Sequence, residues 1–242
     1  MAGTPVVIGY PHRGDDLHHV FAKSMFSSLT LSNQRAQQGL PWVAHIVSSE
    51  SCYIVKNRNR LVRMFLDTPY EWLLMIDTDM EFEPDLLTEL FKVAHPVTAP
   101  IVAGACAVVD PAGNRILVWY QQVEDGVYRQ ARFDPRHKAV HLDAAGTGCL
   151  LVHRSVFERI LSRQTEPDEW VWFDQPSVNG KRIGEDMAFC RRAVRLGFSI
   201  WGCPMAVLKH HKTTPIVPDF TAGLSVSRTV VPATEKVNAY PA

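Results

Sequence analysis

Short apolar runs alternate with amphipathic stretches along the first 110 residues of the chain. The runs have the length and composition of buried strands, and the stretches between them place apolar residues three or four positions apart, which predicts helices. The predicted strands are 6–10, 42–47, 72–76 and 101–109, and the predicted helices are 17–29, 56–66 and 84–91. Because a helix separates each strand from the next, we predict a parallel sheet that helices cover on both faces.

The pattern becomes more mixed after residue 110. Segments 116–121, 126–133 and 139–143 are short and interrupted by Gly or Pro, which predicts antiparallel additions. Further predicted elements are a strand ending at 152, a helix at 156–161 behind a capping box of Ser155 and Glu158, a helix at 185–196 ending at Gly197, and strands at 198–201 and 205–209. Residues 213–242 hold four prolines and no sustained period, which predicts an extended C-terminal tail. The fold class is therefore α/β, a mixed, mostly parallel sheet flanked by helices.

The composition narrows the class of protein. The chain has 242 residues, 46% hydrophobic and 21% charged, which excludes wholesale disorder. Its 25 basic and 25 acidic residues cancel, which argues against binding nucleic acid by bulk charge. The start of the chain lacks signal-peptide features, and the 13-residue apolar run 97–109 is too short to span a bilayer. Together with five widely spaced cysteines, expected to be reduced thiols, this predicts a soluble cytoplasmic protein.

An Asp-x-Asp sequence, Asp77 to Asp79, directly follows the most apolar predicted strand. Parallel sheets bind their ligands at the carboxyl ends of the strands. Two carboxylates one residue apart can hold a divalent ion that bridges substrate phosphates. The alternative is that both aspartates cap the helix that follows. Further acidic residues up to Asp85 favour the metal, because clustered negative charge is costly without a cation.

Two other groups of residues are candidates for chemistry. Glu185 and Asp186 open a predicted helix, where both can be simple caps, or one can cap while the other faces a cleft. His210 and His211 end the last predicted strand, and their side chains must point to opposite sides. At most one histidine therefore reaches a site at the carboxyl edge, where an imidazole beside two aspartates suits Mn²⁺.

In this order, the motifs resemble those of GT-A glycosyltransferases, and the nearest pattern is the large family 2 of nucleotide-sugar-dependent enzymes. The resemblance spans residues 5–212 and includes Asp77-Thr-Asp79, Gly146-Thr-Gly148, segment 184–193, Gly197, Pro204 and His210-His211. It implies a GT-A domain over 1–212, with a nucleotide-sugar-binding half at 1–110 and an acceptor-binding half at 111–212. The tail at 213–242 follows, and a phage or bacterial enzyme is expected, in the cytoplasm of the bacterium or infected host.

The resemblance also implies roles for individual residues in a metal-dependent transfer of sugar from a UDP- or GDP-sugar to an acceptor hydroxyl. Asp77, Asp79 and one of His210 and His211 would hold Mn²⁺ or Mg²⁺, and Asp186 would be the general base of an inverting enzyme. Nucleotide-sugar binding is implied for Tyr10, Pro11, His12, Ser48, Glu50, Asn57, Arg58, Asp77 and Thr78, and acceptor binding for Gly146, Thr147, Gly148 and Glu185.

Several readings stay open. The acceptor is a saccharide, a protein or a modified DNA base, and a non-catalytic sugar-binding module would keep the fold without the metal site. The sequence has no convincing Q-x-x-R-W motif, so a processive membrane synthase is not expected. A set of basic residues either lines a polyanion groove or forms a solvated face: Arg58, Arg60, Arg63, Arg129, Arg132, Arg136 and Lys138.

Overall fold

The structure, a computed structural model, describes residues 3–14, 17–110, 112–134, 136–164, 171–211 and 215–216. The helices in these segments are α1 (His19–Gln37), α2 (Ile54–Leu66), α3 (Leu86–Phe91), α4 (Arg154–Leu161) and α5 (Glu185–Arg195). The strands are β1 (Pro5–His12), β2 (Trp42–Glu50), β3 (Trp72–Ile76), β4 (Met80–Glu81), β5 (Ile101–Ala105), β6 (Ala107–Val109), β7 (Arg115–Leu117), β8 (Trp119–Glu124), β9 (Val127–Gln130), β10 (Val140–Leu142), β11 (Ala144–Ala145), β12 (Cys149–His153), β13 (Ser177–Val178), β14 (Lys181–Arg182), β15 (Ile200–Val207), β16 (Lys209–His211) and β17 (Pro215–Ile216).

A seven-stranded sheet with the order β10-β15-β5-β12-β3-β1-β2 forms the centre of the fold. Strand β1 is parallel to β2 and β3, and β15 is parallel to β5. Strand β12 runs antiparallel between β3 and β5, and β10 runs antiparallel to β15 at the edge. The predicted fold class, a mixed and mostly parallel sheet flanked by helices, is confirmed.

Strand β3 illustrates why continuous apolar runs form the centre of this sheet. All five of its residues are buried. Leu73 and Met75 pack on the face that contacts Phe65 of α2, whereas Leu74 and Ile76 pack on the opposite face with α1. Burying a side chain of this size stabilises the fold by about 1.5–3 kcal/mol. An alternating pattern would leave one face polar, which this two-sided environment does not permit.

Two predicted strand boundaries were wrong. The predicted strand 101–109 is divided into β5 and β6 at Cys106, because β6 leaves the central sheet and pairs with β7. The predicted strands 198–201 and 205–209 are instead β15, which continues through Pro204, followed by β16. A register shift after Cys203 accommodates Pro204, which has no backbone N–H to donate to the β5 ladder.

The predicted capping box at Ser155 was also wrong, whereas the predicted C-terminal glycine of α5 is confirmed. Helix α4 begins two residues earlier than predicted, at Arg154, and its N-cap is His153, whose side chain accepts a hydrogen bond from Ser155 N. Imidazole can satisfy an exposed N–H of the first turn as a hydroxyl does, so the sequence rule selected the wrong cap. Gly197 has φ +88°, a left-handed conformation that glycine adopts without a steric penalty.

Four of the five cysteines are buried free thiols, as expected, whereas Cys52 is exposed. None of the helices in the described segments is long and apolar enough to cross a membrane. Of the predicted tail 213–242, only residues 215–216 are described, and they pair with β16 as β17. The remainder of the tail, and Lys212 before it, lie outside the described residues.

Candidate active site

The carboxyl ends of β1, β2 and β3 meet at one edge of the sheet and border a cleft of about 250 Å³. The residues that line it are Pro11, His12, Arg13, Ser51, Cys52, Ile54, Asn57, Asp77, Thr78 and Asp79. Five of the residues predicted for nucleotide-sugar binding are in this set: Pro11, His12, Asn57, Asp77 and Thr78. The sequence analysis missed Arg13, Ser51, Cys52 and Ile54. The first three continue loops that follow the predicted strand ends, and Ile54 is the first residue of α2.

Four residues predicted for nucleotide-sugar binding are not in this lining set, as the structure describes it: Tyr10, Ser48, Glu50 and Arg58. The side chain of Tyr10 packs edge-on against Phe21 of α1, with ring centroids 5.2 Å apart. On β2, the residue directed at α2 is Ser49, which is buried and donates to Asn57 Oδ1 at 3.0 Å. Because side chains alternate along a strand, Ser48 and Glu50 project from the other face.

Asn57 shapes the cleft by joining the ends of two strands. Its Nδ2 donates to the carbonyl oxygens of His12 at 3.2 Å and Ser51 at 2.9 Å, and its Oδ1 accepts from Ser49. The side chain is almost fully buried, so these bonds satisfy an amide that would be costly to leave unpaired. Asn57 thereby fixes the loops that follow β1 and β2.

Arg58, the next residue of α2, is buried and bonds two carboxylates. Its Nη1 donates to Glu185 Oε1 at 2.6 Å, and its Nη2 donates to Asp77 Oδ1 at 3.3 Å. Burial lowers the pKa of Arg58, but the charges of Asp77, Glu185 and Asp186 outweigh it and the pKa is raised. Burial raises the pKa of Asp77 although the Arg58 charge opposes that change. For Arg58, both interpretations of the basic set, a polyanion groove and a solvated face, are wrong, because its guanidinium is buried against Asp77 and Glu185.

Asp79 contacts a buried histidine from the last strands. His210 Nε2 lies 3.0 Å from Asp79 Oδ2, and His210 Nδ1 lies 3.1 Å from the carbonyl oxygen of Ala107. A carbonyl oxygen only accepts, so Nδ1 donates to it, while Nε2 lies within hydrogen-bond distance of the carboxylate. Metal-ligating histidines are oriented in this way, with one ring nitrogen held by a backbone carbonyl and the other toward the ion.

His211 contacts a different carboxylate. Its Nε2 lies 2.6 Å from Glu81 Oε2, while Lys209 Nζ donates to Glu81 Oε1 at 2.7 Å. Hydrogen bonding from Lys209, and then from His211, lowers the pKa of Glu81. The two histidines therefore engage Asp79 and Glu81 separately, as expected for neighbours whose side chains alternate along a strand.

The donor atoms of Asp79 and His210 fit a divalent cation. Their separation of 3.0 Å equals that of two adjacent ligands about 2.1 Å from an octahedral ion. Across the described segments, no group of three or more His, Cys, Asp and Glu side chains is arranged as a complete metal site. An ion held here would therefore complete its coordination with water and substrate phosphate, which is usual for Mg²⁺.

The segment Gly146–Thr147–Gly148 passes between two of the candidate carboxylates and is entirely buried. A Cβ added to Gly148 would lie 2.9 Å from Met80 Cε and 3.7 Å from Asp77 Oδ2. A Cβ added to Gly146 would lie 2.9 Å from the side chain of Val118 and 3.6 Å from Asp186 Oδ2. Only glycine fits these positions without displacing neighbours, and this permits a close approach of the backbone to both acids.

The two acids that open α5 have different environments. Glu185 is fixed by Arg58 and contacts Gln175 Nε2 at 3.4 Å. Asp186 Oδ1 accepts from the N–H of Met187 at 2.8 Å. Burial raises the pKa of Asp186, although the charge of Arg58 opposes the change. The Oδ2 atom of Asp186 faces the Gly-Thr-Gly segment.

Comparison with known proteins relates this arrangement to glycosyltransferases, although no family model matches the chain. Over 136 residues, 53% of the chain, it is 28% identical to chitin synthase chs-1 of Caenorhabditis elegans. Over 142 residues, 54% of the chain, it is 25% identical to the chitin synthase of Meloidogyne artiellia. The resemblance to GT-A glycosyltransferases is confirmed. The matched part spans only 10% and 7% of the length of these two relatives.

A solved structure, A197 from STIV, has the same overall fold. It aligns with this chain at a TM-score of 0.54 and 16% identity, and the alignment covers 99% of both chains. At that identity the likeness concerns the fold, and the chemistry of the site must be argued from the residues that this chain supplies. The phage or bacterial origin and the two-half domain division stay predictions.

Proposed function

We propose that this chain is a metal-dependent glycosyltransferase that moves a sugar from a UDP- or GDP-sugar to an acceptor hydroxyl with inversion. The observation that supports the proposal is the placement of the Gly146–Gly148 segment between two acids. Asp77, beside the donor cleft, borders one end of the segment, and Asp186 borders the other end. The donor cleft therefore lies at one end of the buried segment and the base at the other end. Transfer of a sugar requires both a donor site and a base for the acceptor hydroxyl.

On the donor side, the cleft at the strand ends would bind the nucleoside diphosphate. Asp79 and His210 are the residues that would hold Mn²⁺ or Mg²⁺. When bound, the ion would stabilise the negative charge of the nucleoside diphosphate leaving group. Asp77 accepts a hydrogen bond from Arg58 and lines the cleft. Its role would be to lie beside the bound donor and to hold the edge of the cleft in place.

On the acceptor side, Asp186 would act as the general base. A hydroxyl is a weak nucleophile, and a carboxylate with a raised pKa accepts its proton more readily than an ordinary aspartate. The acceptor oxygen would bond to the anomeric carbon as the bond from that carbon to the phosphate oxygen breaks, and the hydroxyl proton would move to Asp186 Oδ2. A single displacement of this kind inverts the anomeric configuration.

For the acceptor, a saccharide is the first class to test. The matched relatives are chitin synthases, whose name states that they make a polysaccharide. Because the chain matches only a small part of those proteins, we do not extend their polymerising activity to it. Protein and modified DNA acceptors form separate arms of the same experiment.

The test is a donor and acceptor screen with purified protein and Mn²⁺. We expect one UDP- or GDP-sugar to release its nucleoside diphosphate, with transfer product detected by mass spectrometry and the reaction abolished by chelator. Binding of Mn²⁺ and UDP or GDP without release from any donor would instead identify a non-catalytic sugar-binding module. Release that is indifferent to chelator would contradict the metal requirement.

A further inference from the structure

Arg58 lies at the boundary between the donor and acceptor sides of the candidate site. Its side chain is 6% exposed, and the carboxylates that it bonds are 29% exposed for Asp77 and 14% exposed for Glu185. Asp77 follows β3 beside the cleft, and Glu185 is the first residue of α5. One guanidinium therefore links the end of a central strand to the beginning of the helix that carries Asp186.

Stability alone is a weak explanation for this bridge. Removing a guanidinium and two carboxylates from water is costly, and well-packed apolar residues of similar volume often stabilise a fold at least as well. What the bridge provides is orientation, because the planar fork of Arg bonds two carboxylates in fixed directions. Its donors are directed at protein carboxylates, in contrast to the nucleotide contact that the sequence resemblance implies.

We propose that Arg58 is a positioning residue, which holds the first turn of α5 against the donor cleft and thereby directs Asp186 at the Gly146–Gly148 segment. This inference rests on the proposed function, because it assigns Asp186 a proton to accept. Glu185, the anchored residue, immediately precedes Asp186 in the same helical turn, so a shift of one moves the other. A misplacement of about 1 Å at a reacting group can cost roughly 10²-fold in rate.

The kinetic test compares Arg58→Gln and Arg58→Lys with Arg60→Gln. Arg60 is exposed on the same helix, which makes it a matched control. With the donor selected from a panel of UDP-N-acetylglucosamine, UDP-glucose and GDP-mannose, we expect Arg58→Gln to lower kcat roughly 10–100-fold. The donor KM should stay within about twofold, since Arg58 is assigned no ligand contact. Arg58→Lys should not restore kcat, because a single ammonium cannot bond both carboxylates in the same geometry.

A second set of variants tests whether Arg58 and Glu185 act as one unit, and it remains usable if Arg58→Gln folds poorly. Glu185→Gln breaks the acceptor-side end of the bridge alone. We expect its effect on kcat to resemble that of Arg58→Gln, and the double variant to be no worse than either single variant. Residues that share one interaction are strongly non-additive. Fully additive losses of kcat in the double variant would contradict the claim that Arg58 and Glu185 act as one unit.

Hydrogen exchange tests the positioning role without relying on turnover. The amide of Ala188 donates to Gly184 O in the first turn of α5. In Arg58→Gln we expect the amides of residues 185–190 to exchange at least about tenfold faster, because the turn has lost its anchor. In Arg60→Gln they should exchange as in the wild type.

The outcomes separate the two claims. Unchanged exchange in a folded Arg58→Gln variant overturns the positioning role, as does a rise in donor KM with kcat unchanged, which would make Arg58 a donor ligand. If wild-type protein turns over no donor in the full screen, the proposed function fails. In that case the assignment of Arg58 to catalysis falls with it, while exchange still decides whether the bridge anchors α5.

Discussion

The end of β3 and the beginning of α5 each present two acids close together, and the members of each set are used differently. Asp77 and Glu185, the first acid of each set, both bond Arg58. Asp79 instead contacts His210, and Asp186 accepts one backbone N–H and faces the Gly-Thr-Gly segment. The comparison shows that one cation, the Arg58 guanidinium, bonds the first acid of each set. The proposed mechanism assigns its metal ligand and its base to the second acid of each set, in two unrelated local structures.

The largest effect is expected at Asp79, the second acid of the β3 side. Asp79→Ala should lower the rate of transfer by roughly 10³-fold or more. The variant loses a ligand of the metal ion, and that ion would stabilise the charge of the leaving group by several kcal/mol. Calorimetry with Mn²⁺ and UDP or GDP should detect no metal-dependent binding, while the melting curve stays cooperative. Glu83→Gln is the matched control, since Glu83 is exposed in the same loop. Wild-type Mn²⁺ affinity in Asp79→Ala would contradict the assignment.

The second effect concerns Asp186, the second acid of the α5 side. Asp186→Asn keeps the shape of the side chain and can still accept from the N–H of Met187, but it cannot take a proton. Transfer should fall by roughly 10²–10⁴-fold, whereas binding of Mn²⁺ with the nucleotide should be unchanged. The product of the wild type, examined by NMR, should have inverted anomeric configuration. A retained configuration, or a nearly full-speed variant, would leave Asp186 as a helix cap only.

The third effect distinguishes the two histidines. His210→Ala should weaken Mn²⁺ binding by roughly 10–100-fold, because it removes the nitrogen directed at Asp79. His211→Ala removes a partner of Glu81, which Lys209 also contacts, so its effect should be only a few-fold. Titration of each variant with Mn²⁺ in the presence of UDP or GDP measures the difference. Equal, mild effects would indicate that both histidines are structural.

The smallest effect is a displacement of the acidic limb of the pH–rate profile. Asp186 must be ionised to accept a proton. The rate of transfer should therefore be maximal above the pKa of Asp186 and should fall as the pH decreases through that pKa. Because burial raises that pKa above the ordinary value of 3.8, the loss should begin at a higher pH than for an exposed aspartate. The limb should be absent in Asp186→Asn. A wild-type limb at the ordinary aspartate range would argue against Asp186 as the base.

The sequence was most informative where one segment determines its own structure. Strand β3 was predicted with its observed boundaries, because its continuous apolar run can only be buried on both faces. The Asp-x-Asp position and the glycine that ends α5 followed from the same local reasoning. Strand 101–109 could not be divided correctly, since the departure of β6 depends on pairing with β7, which its own composition does not reveal.

The candidate site was less predictable, because its decisive contacts join distant segments. Arg58 and Glu185 are 127 positions apart, so no local pattern shows that the arginine faces carboxylates instead of a nucleotide. The same holds for His210 and Asp79, which are 131 positions apart. Alternation predicted that only one histidine faces Asp79, but which one depends on the register of β16 against β4.

The antiparallel position of β12 has a consequence for folding during synthesis, because β3 must wait for a partner strand that is made much later. Its partner β3 ends at Ile76 and β12 begins at Cys149, 73 positions later. At roughly 5–20 residues per second, β3 therefore spends about 4–15 s on the ribosome with one ladder edge unpaired. An unpaired apolar edge is a template for intermolecular pairing. We expect chains truncated between β5 and β12 to aggregate, and nascent chains to depend on chaperones most strongly during this interval.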